Sequence, residues 1–363
     1  MVSRLRPSAP NMVSVPAELA SPGAPAASPA AGARRLNWAR KADSVLLAPS
    51  PAVLRRWALA GVITSAAIIL TGAAVRLSQS GLGCPDWPAC TAHSAVASGA
   101  TGDPLVHRWI EFGNRLVTVA IFVVAVGVFL VAWRFRPAGG QRRRDLLWLA
   151  AAQPAAILVQ AGLGGLVVLT LLNPALVSVH FLASSALVAA TVALYVRCQE
   201  GAGPARPLVP RLVQLAALGV LAVVALMLAA GTVVTGTGPL AGARLADGRP
   251  VPRYHLPLAG VTQLHADVGW LLGGLVVALL IALRLSSAPA RAVRLGWLLA
   301  GLIAAQGVVG YVQYFSGLPA GLVWVHVAGS VAIWVTALLL PYSLRDRGAM
   351  TEPAAAGAAW PAA

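Results

Sequence analysis

The chain has 363 residues, 58% of them hydrophobic and only 10% charged, with a formal net charge of +16 and a mean hydropathy of +0.77. A soluble domain needs about 25% charged residues to wet its surface, so this composition excludes one. The positive charge is nearly all arginine and lies in short stretches between apolar runs rather than on one basic face; it points to a lipid bilayer as the partner, not to nucleic acid.

Residues 1–50 are rich in alanine, proline and serine, show no apolar period, and read as a disordered cytoplasmic tail without the apolar core of a secretory signal near its start. Beyond them, apolar runs of about 20 residues recur, each long enough to cross a ~30 Å hydrocarbon core as a helix. They predict spans near 57–76, 109–133, 146–171, 175–197, 212–236, 260–283, 295–316 and 319–343. The connections after the second, fourth and sixth spans read "RFRPAGGQRRRD", "RCQEGAGPARPLVPR" and "RLSSAPARAVR", whereas the others carry few or mixed charges. The positive-inside rule then predicts a multi-pass protein of the cell membrane with both termini in the cytoplasm.

That orientation puts "GLGCPDWPAC", residues 81–90, outside, where an oxidising compartment favours a disulfide between Cys84 and Cys90. Pro85 and Pro88 favour the turn such a bond requires. Two readings stand for the pair, a structural staple and a redox-active couple. Cys198, alone at the inner end of the fourth span, reads as a small inert apolar residue.

The two halves repeat. "QAGLGGLVVLTLLNPALVSVHFLASS" from Gln160 matches "QGVVGYVQYFSGLPAGLVWVHVAGS" from Gln306, aligning His180 with His326, Gly164 with Gly310 and Ser184 with Ser330. "TGAAVRLSQSG" likewise resembles "AGTVVTGTGPL". Four spans per half keep the two copies in the same orientation, as parallel repeats. The expected fold is therefore all-α and polytopic: eight transmembrane helices in two parallel four-helix-bundle repeats, residues 51–200 and 201–345, followed by a short cytoplasmic tail, 346–363.

His326 in the eighth span and His265 in the sixth are both entered from outside, and at about 1.5 Å per residue they reach a similar depth of roughly 10 Å. Two imidazoles at one level of one bundle suit the axial positions of a haem iron; the plainer reading makes each an isolated polar residue hydrogen-bonded within the bundle. In the first half His180 has the same depth, but "HRWIEFGNRL" puts Asn114 where His265 would fall. Glu111 there is either the (i, i+4) salt-bridge partner of Arg115 or a carboxylate serving a cofactor pocket.

"GLGCPDWPAC", "IEFGNRL", "LVSVHFLASS", "QLHAD" and "VWVHVAGS" together resemble the haem A synthase family, over about residues 57–343. The resemblance implies an oxidoreductase that converts the C8 methyl of haem O to a formyl group, giving haem A for terminal oxidases. It implies a resident haem b in the second half, ligated by His265 and His326. The substrate haem would lie in the first half, with His180 as axial ligand and Glu111 as the catalytic carboxylate. Haem O synthase is the expected donor of substrate, the electron acceptor is left unnamed, and a homo-oligomer is compatible with the pattern.

Two departures from that pattern stand out. Better-known members have a histidine where this chain has Asn114, and "GPLAGARLADGRPVPRYHLPL" lacks the second cysteine pair that some members carry. Arg76 and Arg115, with Arg108 and Arg253, lie near the outer pocket mouths as candidate propionate contacts; interfacial anchoring is the alternative. His93, His107 and His255 read as loop residues. The rival function is a non-enzymatic, quinol-linked haem b cytochrome, which would need two histidines in both halves. A transporter would need broken helices at mid-membrane.

Overall fold

The structure, a computed structural model, describes residues 49–92, 94–97, 105–137, 141–245 and 247–350. Most of the expected N-terminal tail, residues 351–363 and His93 lie outside the described residues. Among the described residues eight helices are long and apolar enough to cross a membrane: α1 (Pro51–Leu77), α2 (Leu105–Arg134), α3 (Arg144–Leu169), α4 (Pro174–Arg197), α5 (Arg211–Thr237), α6 (Leu258–Leu285), α7 (Ala290–Phe315) and α8 (Ala320–Tyr342). Two short strands, β1 (Arg206–Pro207) and β2 (Arg345–Asp346), pair antiparallel.

Proline chemistry sets most of the helix starts. Pro51 and Pro174 occupy the first turn, where a missing N–H costs nothing. Ser50 and Asn173 precede them, and their side chains accept from Val53 N and from Ala175 N and Leu176 N. That cap is why α1 begins at Pro51 rather than near 57, taking Arg55 and Arg56 into the helix. Similarly α2 begins at Leu105, so His107, expected in a loop, lies in its first turn, with Nδ1 2.9 Å from Ser80 Oγ.

The repeat extends to backbone conformation. The α3–α4 turn uses left-handed Leu171 (φ 55°) and Leu172 (φ 60°), and the α7–α8 turn uses Gly317 (φ 79°) and Leu318 (φ 61°) at the matching positions. Each half closes as a ring of four helices, in which α1 also packs on α4 and α5 on α8. Between the halves α1 meets α8, α4 meets α5, and α4 meets α8. These contacts exchange under the repeat, as a two-fold axis beside α4 and α8 requires. Trp334 Nε1 donates to Ser185 O (2.8 Å) and Trp324 Nε1 to Leu70 O (3.0 Å) across this seam.

The hydrophobic clusters are concentrated towards the arginine-rich end of the bundles. Leu54, Val128, Val131 and Leu146 fill the first half there, and Val220, Val276, Leu283 and Leu340 fill the second. Burying each such side chain contributes roughly 1.5–3 kcal/mol in water-transfer terms. Residues 345–350, expected largely within a tail, instead form a strap across that end. Gly201 N donates to Gly348 O (2.8 Å) and Met350 N to Gln199 O (3.3 Å).

Candidate functional site: two interhelical chambers

Towards the disulfide end, the core stops. No residue of α6 before Leu272, of α7 after Leu299, or of α8 before Val331 is buried. His265 and His326 face each other at this level with ring centroids 6.3 Å apart. Two imidazoles sharing a metal ion from opposite sides, with metal–nitrogen bonds of about 2.0 Å, have ring centres roughly 6 Å apart. In each ring Nδ1 is buried without a hydrogen-bond partner, a costly arrangement unless a ligand is to be bound. The histidine pair therefore fits a haem iron. Glycines give the rings room: a Cβ at Gly231 would lie 3.3 Å from His265 Cε1, and one at Gly310 3.6 Å from His326 Cε1.

The first half repeats this chamber with changed chemistry. His180 lies against Gly164, whose Cβ would stand 3.5 Å from Cε1, and its Nδ1 is buried and unpartnered. Gln160 Nε2 donates to His180 O (3.0 Å) and to Ser184 Oγ. This holds the α4 turn that carries the histidine against α3. In the second half Gln306 lies over Gly329, where a Cβ would collide with its amide. Asn114 supplies Oδ1, also buried and without a partner. No residue is buried in α2 between Glu111 and Ile121, in α3 between Ile157 and Gly165, or in α4 between Pro174 and Ser185.

Unlike the second chamber, this one is capped by a disulfide loop. Cys84 and Cys90 are bonded, with Cα atoms 4.3 Å apart, and both are fully buried. Glu111, itself 6% exposed, holds the loop from below: one carboxylate oxygen accepts from Cys84 N at 2.7 Å and the other from Arg115 Nη2 at 2.9 Å. Arg115 then donates to the carbonyls of Cys84, Asp86 and Ala89 at 2.9–3.1 Å. The salt bridge to Arg115 expected of Glu111 is thus present, and the same carboxylate anchors the disulfide loop. Trp87 lies so close over α3 that a Cβ at Gly165 would stand 2.5 Å from its ring.

The sequence marked Arg115 for propionates, but the structure places its guanidinium under the loop carbonyls. Arg76 Nη2 donates to Thr235 O (2.9 Å) and Leu240 O, tying the end of α1 to the end of α5. Arg253 is near enough to Arg76 for the two charges to repel, and its Nη2 is buried without a partner. Burial holds the Arg253 guanidinium below the usual arginine range. His255 is exposed in the α5–α6 loop. The Glu111–Cys84 bond and the Gln160 contact escaped sequence reasoning; the matched glutamines were the only signal for the latter.

Bundles that stop filling their own interiors around inward-facing histidines define a multi-pass membrane protein built for haem-related chemistry. The chain belongs to the COX15-CtaA family of cytochrome oxidase assembly proteins, whose profile matches residues 55–338. Among individual proteins it is similar to the "Heme A synthase" of Lysinibacillus sphaericus (strain C3-41), 32% identical over 147 residues, 40% of this chain and 44% of that one. It is also similar to the "Heme A synthase" of Bacillus cereus (strain 03BB102), 29% identical over 122 residues, 34% and 36% of the two chains. The matched segments span less than half the length of these curated relatives.

Proposed function

We propose that this protein is a haem A synthase, oxidising the C8 methyl of haem O to a formyl group. The observation that carries the reading is the asymmetry of the chambers: paired imidazoles in the second half, and one imidazole, a buried carboxylate and an unpartnered amide in the first. The balance is R–CH3 + H2O → R–CHO + 4 H+ + 4 e−, with the electrons passing to a one-electron acceptor chain. A haem b between His265 and His326 would supply a one-electron relay.

In the first chamber His180 binds the substrate iron from one side. Asn114 leaves the other side without a strong ligand, which suits a haem that departs as product. Glu111 holds the incoming water and takes its proton as general base. The Arg115 charge and the Cys84 N–H keep that carboxylate oriented, and the disulfide loop limits bulk water. Arg253, with its free Nη2, faces a substrate propionate. The orientation proposed for the whole chain puts this lid outside the cell membrane and both termini in the cytoplasm, with haem O synthase as the donor.

The test is the pigment extracted after co-expression with a haem O source. The expected result is formyl-bearing haem A from the wild type. Glu111→Gln should yield haem O: the amide oxygen can still accept from Cys84 N–H, the bond from Arg115 Nη2 is lost, and no base remains; an unreactive Cys84–Cys90 pair in thiol labelling checks that the lid is kept. Unchanged haem from the wild type would instead support the electron-transfer cytochrome. Normal haem A from Glu111→Gln would leave the carboxylate as Arg115's structural partner alone.

A further inference from the structure

Two cavities lie at the arginine-rich end, far from the histidines in the fold. One, of about 280 Å³, is lined by Arg291, Arg345, Arg347, Glu200 and Asp346 beside Tyr342. The other, of about 240 Å³, lies between the ends of α5 and α8 and is lined by Leu218, Leu221, Leu338 and Pro341. Tyr342 and Arg345 line both, and the Arg345 guanidinium stacks 4.5 Å from the Tyr342 ring centre. A cationic cavity thus adjoins an apolar one at the end of a membrane bundle.

The charges are unbalanced. Asp145 accepts from Arg143 (2.7 Å) and Arg197 (2.6 Å), while Glu200 accepts from Arg197 (2.5 Å) and Arg345 (3.0 Å). These carboxylates are therefore already engaged. Arg347 donates from Nη1 to Gly203 O (3.1 Å) and makes only a long ion pair with Glu200 (3.9 Å), its Nε buried with no hydrogen bond. Among the described residues no carboxylate pairs with Arg291, and Asp346 Oδ1 accepts from Gly348 N (2.8 Å). The surplus guanidinium charge faces the cavity that opens beside the apolar groove.

We propose that an anionic phospholipid occupies the two cavities, its phosphate against Arg291 and Arg347 and an acyl chain along Leu218, Leu221 and Leu338. Charge complementarity selects the headgroup, and the adjoining apolar cavity selects a lipid over a free anion; basic pockets between helix ends are known to hold such headgroups. The lipid would brace the strap formed by β1, β2 and residues 348–350 against α7.

The test uses the full chain purified in mild detergent, with bound lipid counted by native mass spectrometry and unfolding followed by heating. Added phosphatidylglycerol should bind and raise the Tm, whereas phosphatidylcholine of the same chains and inorganic phosphate should not. Arg291→Gln with Arg347→Gln should lower phosphatidylglycerol affinity roughly 25-fold, about fivefold per guanidinium. Leu218→Trp, which fills the apolar cavity and keeps every arginine, should also lower it, with helix content unchanged; this variant decides the matter if the arginine pair fails to fold. Equal binding of phosphatidylcholine, equal stabilisation by inorganic phosphate, or lipid retained in a folded Leu218→Trp protein would overturn the proposal. So would lipid that enters only after residues 351–363 are removed, since that segment would then be the occupant.

Discussion

The second chamber presents His265 and His326 to each other across an interior that its own helices do not fill. The first presents His180 alone, with Asn114 in place of the second imidazole and a disulfide loop held down by Glu111 and Arg115. The segments at the disulfide end add to this inequality: Ala243 and Val251 of the α5–α6 connection pack with Leu172 of the first half. A duplicated scaffold thus holds one facing pair of imidazoles and one lone imidazole under a disulfide lid.

The comparison breaks most sharply at Asn114. Asn114→His should make the halves alike, giving a second low-spin bis-imidazole spectrum once the substrate haem is bound, with haem A still formed, since better-known members of the family carry a histidine at this position. An optical and EPR count of low-spin haem checks this; an unchanged count would mean that Asn114 does not stand where His265 does.

Smaller effects come from the lid. Gly165→Ala drives a Cβ into the Trp87 ring, and overpacking of that kind costs about 1–3 kcal/mol; the Tm and haem A yield should both fall. Gly310→Ala, with 3.6 Å to His326 Cε1, should leave the second-half spectrum intact. Cys84→Ser and Cys90→Ser should each cost about 2 kcal/mol and lower haem A yield in part, the double variant matching the singles. Complete loss of haem A in each single variant, in protein whose Tm and haem binding are kept, would favour a redox role for the pair.

The smallest expected signal comes from Cys198, buried at the end of α4 with its thiol pushed up to about 12. Little of it is thiolate at pH 8, roughly one part in ten thousand. Maleimide should therefore label the native, unreduced protein very slowly and, after SDS, label one thiol per chain. Rapid native labelling of two further thiols would mean that Cys84 and Cys90 are reduced.

The spans were legible because about 20 apolar residues between arginine-rich turns admit few alternatives. The repeat was legible because Gln160 and Gln306 precede His180 and His326 at one offset, and counting residues from the helix starts was enough to bring His265 level with His326. The underside of the lid was not legible. Arg115 acts on backbone carbonyls, which carry no side-chain signature, and the sequence offered its guanidinium to propionates instead. The strap was hidden for a related reason: strands of two residues have no period, and their hydrogen bonds belong to the chain ends they join. Helix ends moved wherever a cap such as Ser50 lay beyond the apolar run.

The central claim is that the resident ligand pair belongs to the second half alone. It is tested most directly by the low-spin haem signal of protein purified from cells without a haem O source, compared among the wild type, His265→Ala, His326→Ala and His180→Ala. The account predicts one bis-imidazole haem per chain in the wild type, lost in His265→Ala and in His326→Ala and kept in His180→Ala. A signal that survives both second-half substitutions, or that disappears with His180, would contradict it.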